Sequence, residues 1–255
     1  MGKTILKTKD LTMIFGGLTA VSKLNLDIKE SQIYGLIGPN GAGKTTAFNM
    51  ITGVYMPTEG KIHFEDQDIS KYKPNKITNL GVARTFQNIR LFSTMTVLEN
   101  VMVSKHLRMG ATLPGAIMKL PSYQKKHQDS YNESMELLIK VGLEKEAHEL
   151  GTSLPYGKQR RLEIARALAT NPKLLLLDEP AAGMNPQESM ELMNFIHQIR
   201  DQFSLTVLMI EHHMKVVMGI CEKITVLDYG QTIAIGNPYE IQNDQKVIEA
   251  YLGVD

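Results

Sequence analysis

Gly38-Pro39-Asn40-Gly41-Ala42-Gly43-Lys44-Thr45 has the spacing G-x-x-x-x-G-K-[ST], a pattern suited to gripping a polyphosphate. Glycines let the backbone curl tightly, so that its N–H groups point inward at an anion. The lysine can reach the β- and γ-phosphates, and the Thr45 hydroxyl can ligate a Mg2+ ion held by them. Thr46 continues the same turn.

A second group lies far along the chain, where Leu174-Leu175-Leu176-Leu177 is followed by Asp178-Glu179. A continuous apolar run suits a parallel strand buried on both faces, and its carboxyl end is where open α/β sheets carry ligands. Acidic residues there can be mere surface caps. Beside a phosphate cradle, however, Asp178 can hold Mg2+ through a water and Glu179 can polarise an attacking water. Thr206-Val207-Leu208-Met209-Ile210 repeats the pattern and ends at Glu211-His212-His213. Extended geometry carried past Ile210 would alternate the two histidines, so that only one faces the phosphate. Phe15 has two readings, an ordinary core or turn aromatic, or a flat face on which a nucleobase stacks.

These residues need elements to position them. Ile33-Tyr34-Gly35-Leu36-Ile37 reads as a buried strand and Thr46-Ala47-Phe48-Asn49-Met50-Ile51 as a helix, so the cradle sits between strand and helix. The chain opens with antiparallel β structure: a strand over 4–14, a turn at Phe15-Gly16-Gly17, and alternation again over 24–28. Further strands are predicted at 61–65, at 80–86 running into Gln87, and at 224–227, the last closed by Asp228-Tyr229-Gly230. Between about 88 and 169 the pattern turns helical. Gly110, Pro114, Gly115 and Pro121 mark a loop or broken helix there, and Tyr131, Met135, Leu138 and Ile139 form one apolar helical face. The tail over 238–252 reads as one or two short helices.

Composition bounds the rest. The 255 residues are 43% hydrophobic and 22% charged, which suits one globular domain with a subdomain. With 28 basic and 27 acidic residues and no long basic block, nucleic acid is not implied as a partner. The lone Cys221 excludes an internal disulfide and reads as a packed side chain. No stretch has the form of a signal peptide, and no apolar run approaches the roughly 18 residues of a membrane span, so a soluble protein is expected.

Taken together, these residues closely resemble an ABC-transporter ATPase subunit, over residues 5–252. The resemblance implies a P-loop NTPase of ABC type: an α/β core with a mixed, mainly parallel sheet, an N-terminal antiparallel β subdomain and an inserted α-helical subdomain. Its divisions would be 1–87 and 170–237 for the ATP-binding core, 88–169 for the helical part, and 238–255 for the tail. It implies ATP and Mg2+. Phe15 matches the aromatic that stacks on adenine, with Val21 under the same ring. Gln87 matches the glutamine that touches Mg2+ and the attacking water, so that Thr45, Gln87 and Asp178 are the implied metal residues. Glu179 matches the catalytic base and His212 the switch histidine. Leu154-Pro155-Tyr156-Gly157-Lys158-Gln159 matches the signature loop that reaches a partner's ATP, with its helix beginning near Gln159. There are departures: Pro155 replaces the usual serine, Asn185 stands where aspartate is common, and His213 follows the switch histidine in place of a small acidic residue.

The wording is closest to the branched-chain amino-acid importer ATPases. Phe15-Gly16-Gly17-Leu18-Thr19-Ala20-Val21, Arg84-Thr85-Phe86-Gln87, Arg160-Arg161-Leu162-Glu163-Ile164-Ala165-Arg166 and Ala250-Tyr251-Leu252-Gly253 carry that likeness. It implies a peripheral subunit on the cytoplasmic face of the membrane. Its partners would be transmembrane permease subunits, a second ATPase subunit and, indirectly, an extracytoplasmic solute-binding protein. Rival classes fit less well. A GTPase would carry N-K-x-D, to which Asn75-Lys76-Ile77-Thr78 is only a near miss, and non-transport ABC ATPases carry a long coiled coil or two ATPase units in one chain.

Overall fold

The structure, a computed structural model, describes residues 2–109 and 121–252. They fall into two compact units, divided at Gln87/Asn88 and at Pro172/Lys173. In chain order the first unit holds β1 (Thr4–Phe15), β2 (Leu18–Leu24), β3 (Asp27–Lys29), β4 (Ile33–Ile37), α1 (Lys44–Ile51), β5 (Glu59–Phe64), β6 (Gln67–Asp68), α2 (Pro74–Leu80) and β7 (Val82–Arg84). The second unit contributes α3 (Val97–Met109), α4 (Pro121–Val141) and α5 (Tyr156–Leu168). The first unit then resumes with β8 (Leu174–Asp178), α6 (Pro186–Phe203), β9 (Thr206–Ile210), α7 (Met214–Ile220), β10 (Lys223–Asp228), β11 (Gln231–Gly236), α8 (Pro238–Gln242) and α9 (Gln245–Leu252).

Two sheets organise the first unit. One runs β2-β1-β5-β6, with β3 also on β1, and its pairings are antiparallel. The other runs β11-β10-β4-β9-β8-β7, parallel except for β11. Every residue of β4, β8 and β9 is buried, as their unbroken apolar runs require. Register then decides where the strands end. Leu36 pairs with Ile210, and Ile210 with Asp178. The chain therefore leaves β4, β8 and β9 at one level, which brings Gly38, Glu179 and Glu211 to the same edge. Phe48 of α1 is fully buried in the cluster that also holds Leu36, Leu176 and Leu208. Burial of such a side chain is worth about 1.5–3 kcal/mol, so the helix behind the cradle is firmly seated.

Two local expectations change. Residues 80–86 are not one strand: Leu80 ends α2, which starts on Pro74 and stops at Gly81 with φ 110°. Proline inside a helix start and glycine just past its end are the signals that mark it. In α4 the buried face runs through Ser130, Ser134, Leu137, Leu138 and Val141, while Ile139 is 60% exposed. The stripe expected through Tyr131, Met135 and Ile139 is thus rotated, because two buried serines carry the face that apolar spacing alone assigned elsewhere. The loop or broken helix expected around Gly110, Pro114 and Gly115 lies outside the described residues. In the second unit, buried Asn100 accepts from Phe92 N–H and donates to the carbonyls of Phe92, Met95 and Thr96, bracing the turn before α3.

Candidate nucleotide site

The cradle is built by close backbone approach. Gly38 has φ 152°, and a Cβ there would lie 2.1 Å from the Leu227 carbonyl oxygen. Gly43 has φ 98°, and its Cβ would lie 2.4 Å from the Ala20 carbonyl oxygen. Neither position admits a side chain, which is why both fixed places of the motif are glycine. Fully buried Val21 packs beneath Gly43. Lys44 opens α1, and its Nζ donates to the carbonyls of Gly38 (2.7 Å) and Pro39 (2.8 Å). That fixes the ammonium at the loop's mouth with one of its three protons still undirected. Burial lowers the Lys44 pKa, against the pull of the Glu179 and Asp178 carboxylates. A cleft of about 330 Å³ opens here, with Asn40, Gly41, Ala42, Thr45, Thr46 and Glu179 in its wall.

Asp178 is buried at the end of β8, and its Oδ2 pairs with Arg84 at 2.7 Å. The same guanidinium donates to Asn49 of α1 at 2.7 Å and lies 5.5 Å from the rings of Phe48 and Phe86. Arg84 thus ties the carboxylate to the helix behind the cradle. Sequence reasoning passed over it because nothing local connects positions 84 and 178.

Glu179 follows in left-handed backbone, φ 45°. For a residue other than glycine this conformation costs of order 1–3 kcal/mol and persists where surrounding structure enforces it. Here its own N–H donates to the Ile210 carbonyl at 2.9 Å. Gln87 Nε2 donates to Glu179 Oε2 at 2.7 Å, and His212 Nδ1 lies 3.5 Å from the same oxygen. Gln87 and His212, each more than thirty positions from Glu179 and from one another, therefore converge on its carboxylate.

Glu211 is a second residue that sequence reasoning left without a role. It is fully buried. Its Oε1 accepts from Ala181 N–H at 2.8 Å, and its Oε2 accepts from the N–H groups of His212 (3.0 Å) and His213 (3.2 Å). One carboxylate therefore holds the loop after Glu179 and the histidine segment together. The alternation expected past Ile210 does not hold. Glu211 draws both histidine N–H groups to one oxygen, and the rings come to lie 4.1 Å apart. His212 is the ring beside Glu179, while His213 Nδ1 lies 3.2 Å from Glu211.

Phe15 is 43% exposed, and its ring meets Tyr55 edge-on at 5.4 Å. The apolar residue of that turn in the cleft wall is Leu18, and Tyr229, 87% exposed with φ 42°, lines the same cleft. Only the turn wording Asp228-Tyr229-Gly230 hinted at Tyr229.

In the second unit, Leu154 is buried and its carbonyl accepts from Gln159 Nε2 at 2.8 Å. Pro155 caps α5, which begins at Tyr156, three residues before the expected start. A Cβ on Gly157 would meet nothing within 4 Å, and Lys158 pairs with Glu146. In the first unit, Asn185 caps α6 in a reciprocal box with Glu188. Asparagine and aspartate serve about equally well there, so the departure from aspartate keeps the cap.

Mg2+ prefers hard oxygen donors. Thr45 offers a hydroxyl in the cleft wall, and Asp178, buried at the end of β8, offers a carboxylate whose Oδ2 pairs with Arg84. The donor set fits that ion.

Residues 21–182 match the family model described as ABC transporter, and residues 231–255 match the one described as branched-chain amino acid ATP-binding cassette transporter. The chain is 45% identical over 253 residues to the high-affinity branched-chain amino acid transport ATP-binding protein LivG of Escherichia coli (strain K12), covering 99% of each. It is 44% identical, with the same coverage, to the BraF protein of Pseudomonas aeruginosa that bears the same description. Among solved structures, an ATP-binding cassette of an ABC transporter in its ADP conformation superposes with a TM-score of 0.87 at 30% identity, over 98% of this chain and 99% of that one. A glycine-rich turn, an acidic strand end and a histidine-bearing segment at one sheet edge, in a chain so similar to these proteins along its whole length, place it in the ABC transporter family, among the ATP-binding cassettes.

Proposed function

We propose that this chain is the ATP-hydrolysing subunit of a membrane importer for branched-chain (hydrophobic) amino acids. The chemistry rests on one observation: Gln87 and His212 both address the Glu179 carboxylate at the sheet edge that carries the phosphate cradle. The cargo is supported by the descriptions of LivG and BraF, since the residues of this subunit need not touch the solute.

The backbone N–H groups of residues 40–45 and the Lys44 ammonium bind the phosphates and take up charge as the terminal phosphoryl group leaves. Thr45, Gln87 and Asp178 would hold Mg2+, which when bound neutralises phosphate charge. Glu179 accepts the proton of the attacking water. Gln87 and His212 keep that carboxylate aimed, and His212 can donate an N–H to the γ-phosphate. Phe15 offers the base a face. Asp178 is held in place by Arg84.

The segment Leu154-Pro155-Tyr156-Gly157-Lys158-Gln159 faces the ATP of a second such subunit, so that two close head to tail around two nucleotides. Without a serine hydroxyl at 155, Gly157 and the N-terminal turn of α5 bind that anion. As in the transport ATP-binding proteins it is similar to, the chain would work at the cytoplasmic face against permease subunits. Ile89, Leu91 and Phe92 are the contacts, and a solute-binding protein delivers cargo from outside.

The test is reconstitution with the neighbouring permease genes. Leucine uptake into vesicles should require this subunit and ATP. ATP-dependent transport of some other solute, with leucine ignored, would move the chain to another ABC system. In calorimetry with Mg2+, Lys44→Ala should lose ATP affinity, because the phosphates are then buried without their point charge. Unchanged affinity would show that residues 38–45 are not the cradle.

A further inference from the structure

We propose that Glu211, His212 and His213 form a binding site for Zn2+, separate from the Mg2+ residues, which immobilises the switch histidine when filled. Glu211 Oε2 lies 3.2 Å from His213 Nδ1 and 3.9 Å from His212 Nδ1. The three residues can each direct one ligand atom to within 4.8 Å of the others. Next to them, Glu179 Oε2 is 3.5 Å from His212 Nδ1. A tetrahedral Zn2+ ion with bonds of about 2.0–2.1 Å keeps its donors about 3.3 Å apart. Two of these spacings, 3.2 and 3.5 Å, are close to that value, and rotation of the two exposed imidazole rings would draw the remaining donors in from 3.9–4.8 Å.

The donor chemistry selects the ion. Two imidazole nitrogens and carboxylate oxygens suit Zn2+, whereas Mg2+ favours the oxygen donors around Asp178 and Thr45. Both rings are reachable from solvent, at 42% and 46% side-chain exposure, while the Glu211 carboxylate is fully buried. Its position is set by the N–H groups of Ala181, His212 and His213, the kind of outer support that orients ligating carboxylates. The imidazoles would bind through Nδ1 with their protons on Nε2. The second histidine is what makes the site: without His213 only one nitrogen remains beside the carboxylates. An ion seated here takes the His212 ring and borders Glu179, so it competes with the aiming of that carboxylate.

Binding needs no nucleotide, so it is measured apart from ATP turnover. The full chain, freed of tags and stripped with chelator, is titrated with Zn2+ by calorimetry. Co2+ is added in parallel as a spectroscopic stand-in. One equivalent should bind at micromolar or tighter concentration, and Co2+ should give the visible absorption of a four-coordinate site. His212→Ala and His213→Ala should each weaken binding at least tenfold. His148→Ala, at an exposed position of the second unit, should leave it unchanged. Loss of binding in the His148 variant, equal binding in the His213 variant, or wild-type binding no tighter than millimolar would each overturn the proposal. With Mg2+-ATP present, one equivalent of Zn2+ should slow turnover in wild type more than in His213→Ala, each read against its own metal-free rate. Equal slowing would separate the ion from the switch and overturn that part.

Discussion

Gln87 Nε2 donates to Glu179 Oε2 across 2.7 Å, which joins the last residue of the first unit's N-terminal portion to the carboxylate that follows β8. A glutamine at 179 could still accept this bond through its amide oxygen, but it could not take a proton from water. Glu179→Gln should therefore keep ATP binding and lose about 10²–10⁴ in turnover. Steady-state ATPase and size-exclusion in ATP check this together, since a stalled site should accumulate the ATP-bound dimer. Near-normal ATPase would remove Glu179 from its role.

Arg84 and Asp178 form a pair whose side chains are only 10% and 8% exposed. Arg84→Ala would leave the carboxylate buried and uncompensated, a loss of about 3–5 kcal/mol for such pairs. Arg84→Lys should recover only part, because one ammonium cannot reproduce a fork shared by Asp178 and Asn49. Urea unfolding of the three proteins is the measurement. An unchanged midpoint for the alanine variant would show the pair to be energetically silent.

The two histidines should separate in kinetics. His212 is the ring beside Glu179, and His213 contacts Glu211. His212→Ala should cut ATPase by at least about tenfold with ATP binding mostly intact, while His213→Ala should stay within about threefold of wild type. Turnover of both variants in the assembled transporter decides it. The reverse ranking would assign the switch to His213.

Phe15→Ala should weaken ATP and GTP alike by about 1–3 kcal/mol, the usual worth of stacking a base, because a ring face carries no base-specific hydrogen bond. The edge contact with Tyr55 gives the ring its present setting. Titration with both nucleotides is the check. A loss confined to ATP would point to base readout by hydrogen bonds.

Cys221 should be inert in the native chain. Burial, followed by the Glu211 and Glu222 carboxylates, pushes its thiol from 9.0 up to about 12. At pH 8 its thiolate fraction is then about three orders of magnitude below that of an ordinary thiol. The folded state holds this proton more tightly than the unfolded one. Its contribution to stability is thus full below pH 9 and is lost as pH rises towards about 12. Thiol-reagent kinetics with and without urea test this, and equal rates would contradict the burial.

Chemistry that is local in the chain was legible without coordinates. The spacing of Gly38, Gly43 and Lys44 encodes a backbone curl and a charge. The four leucines before Asp178 encode a doubly buried strand. These patterns depend on residues a few positions apart, whose geometry the backbone itself dictates. Tertiary structure decided what crosses strands. Arg84 meets Asp178, Gln87 meets Glu179, and Glu211 gathers the N–H groups of Ala181, His212 and His213. The same holds for α4, where Ser130 and Ser134 rather than Ile139 face inward. Each of these contacts follows from strand register or helix rotation. Both are set by the packing of whole elements against one another, and short-range residue spacing carries little record of it.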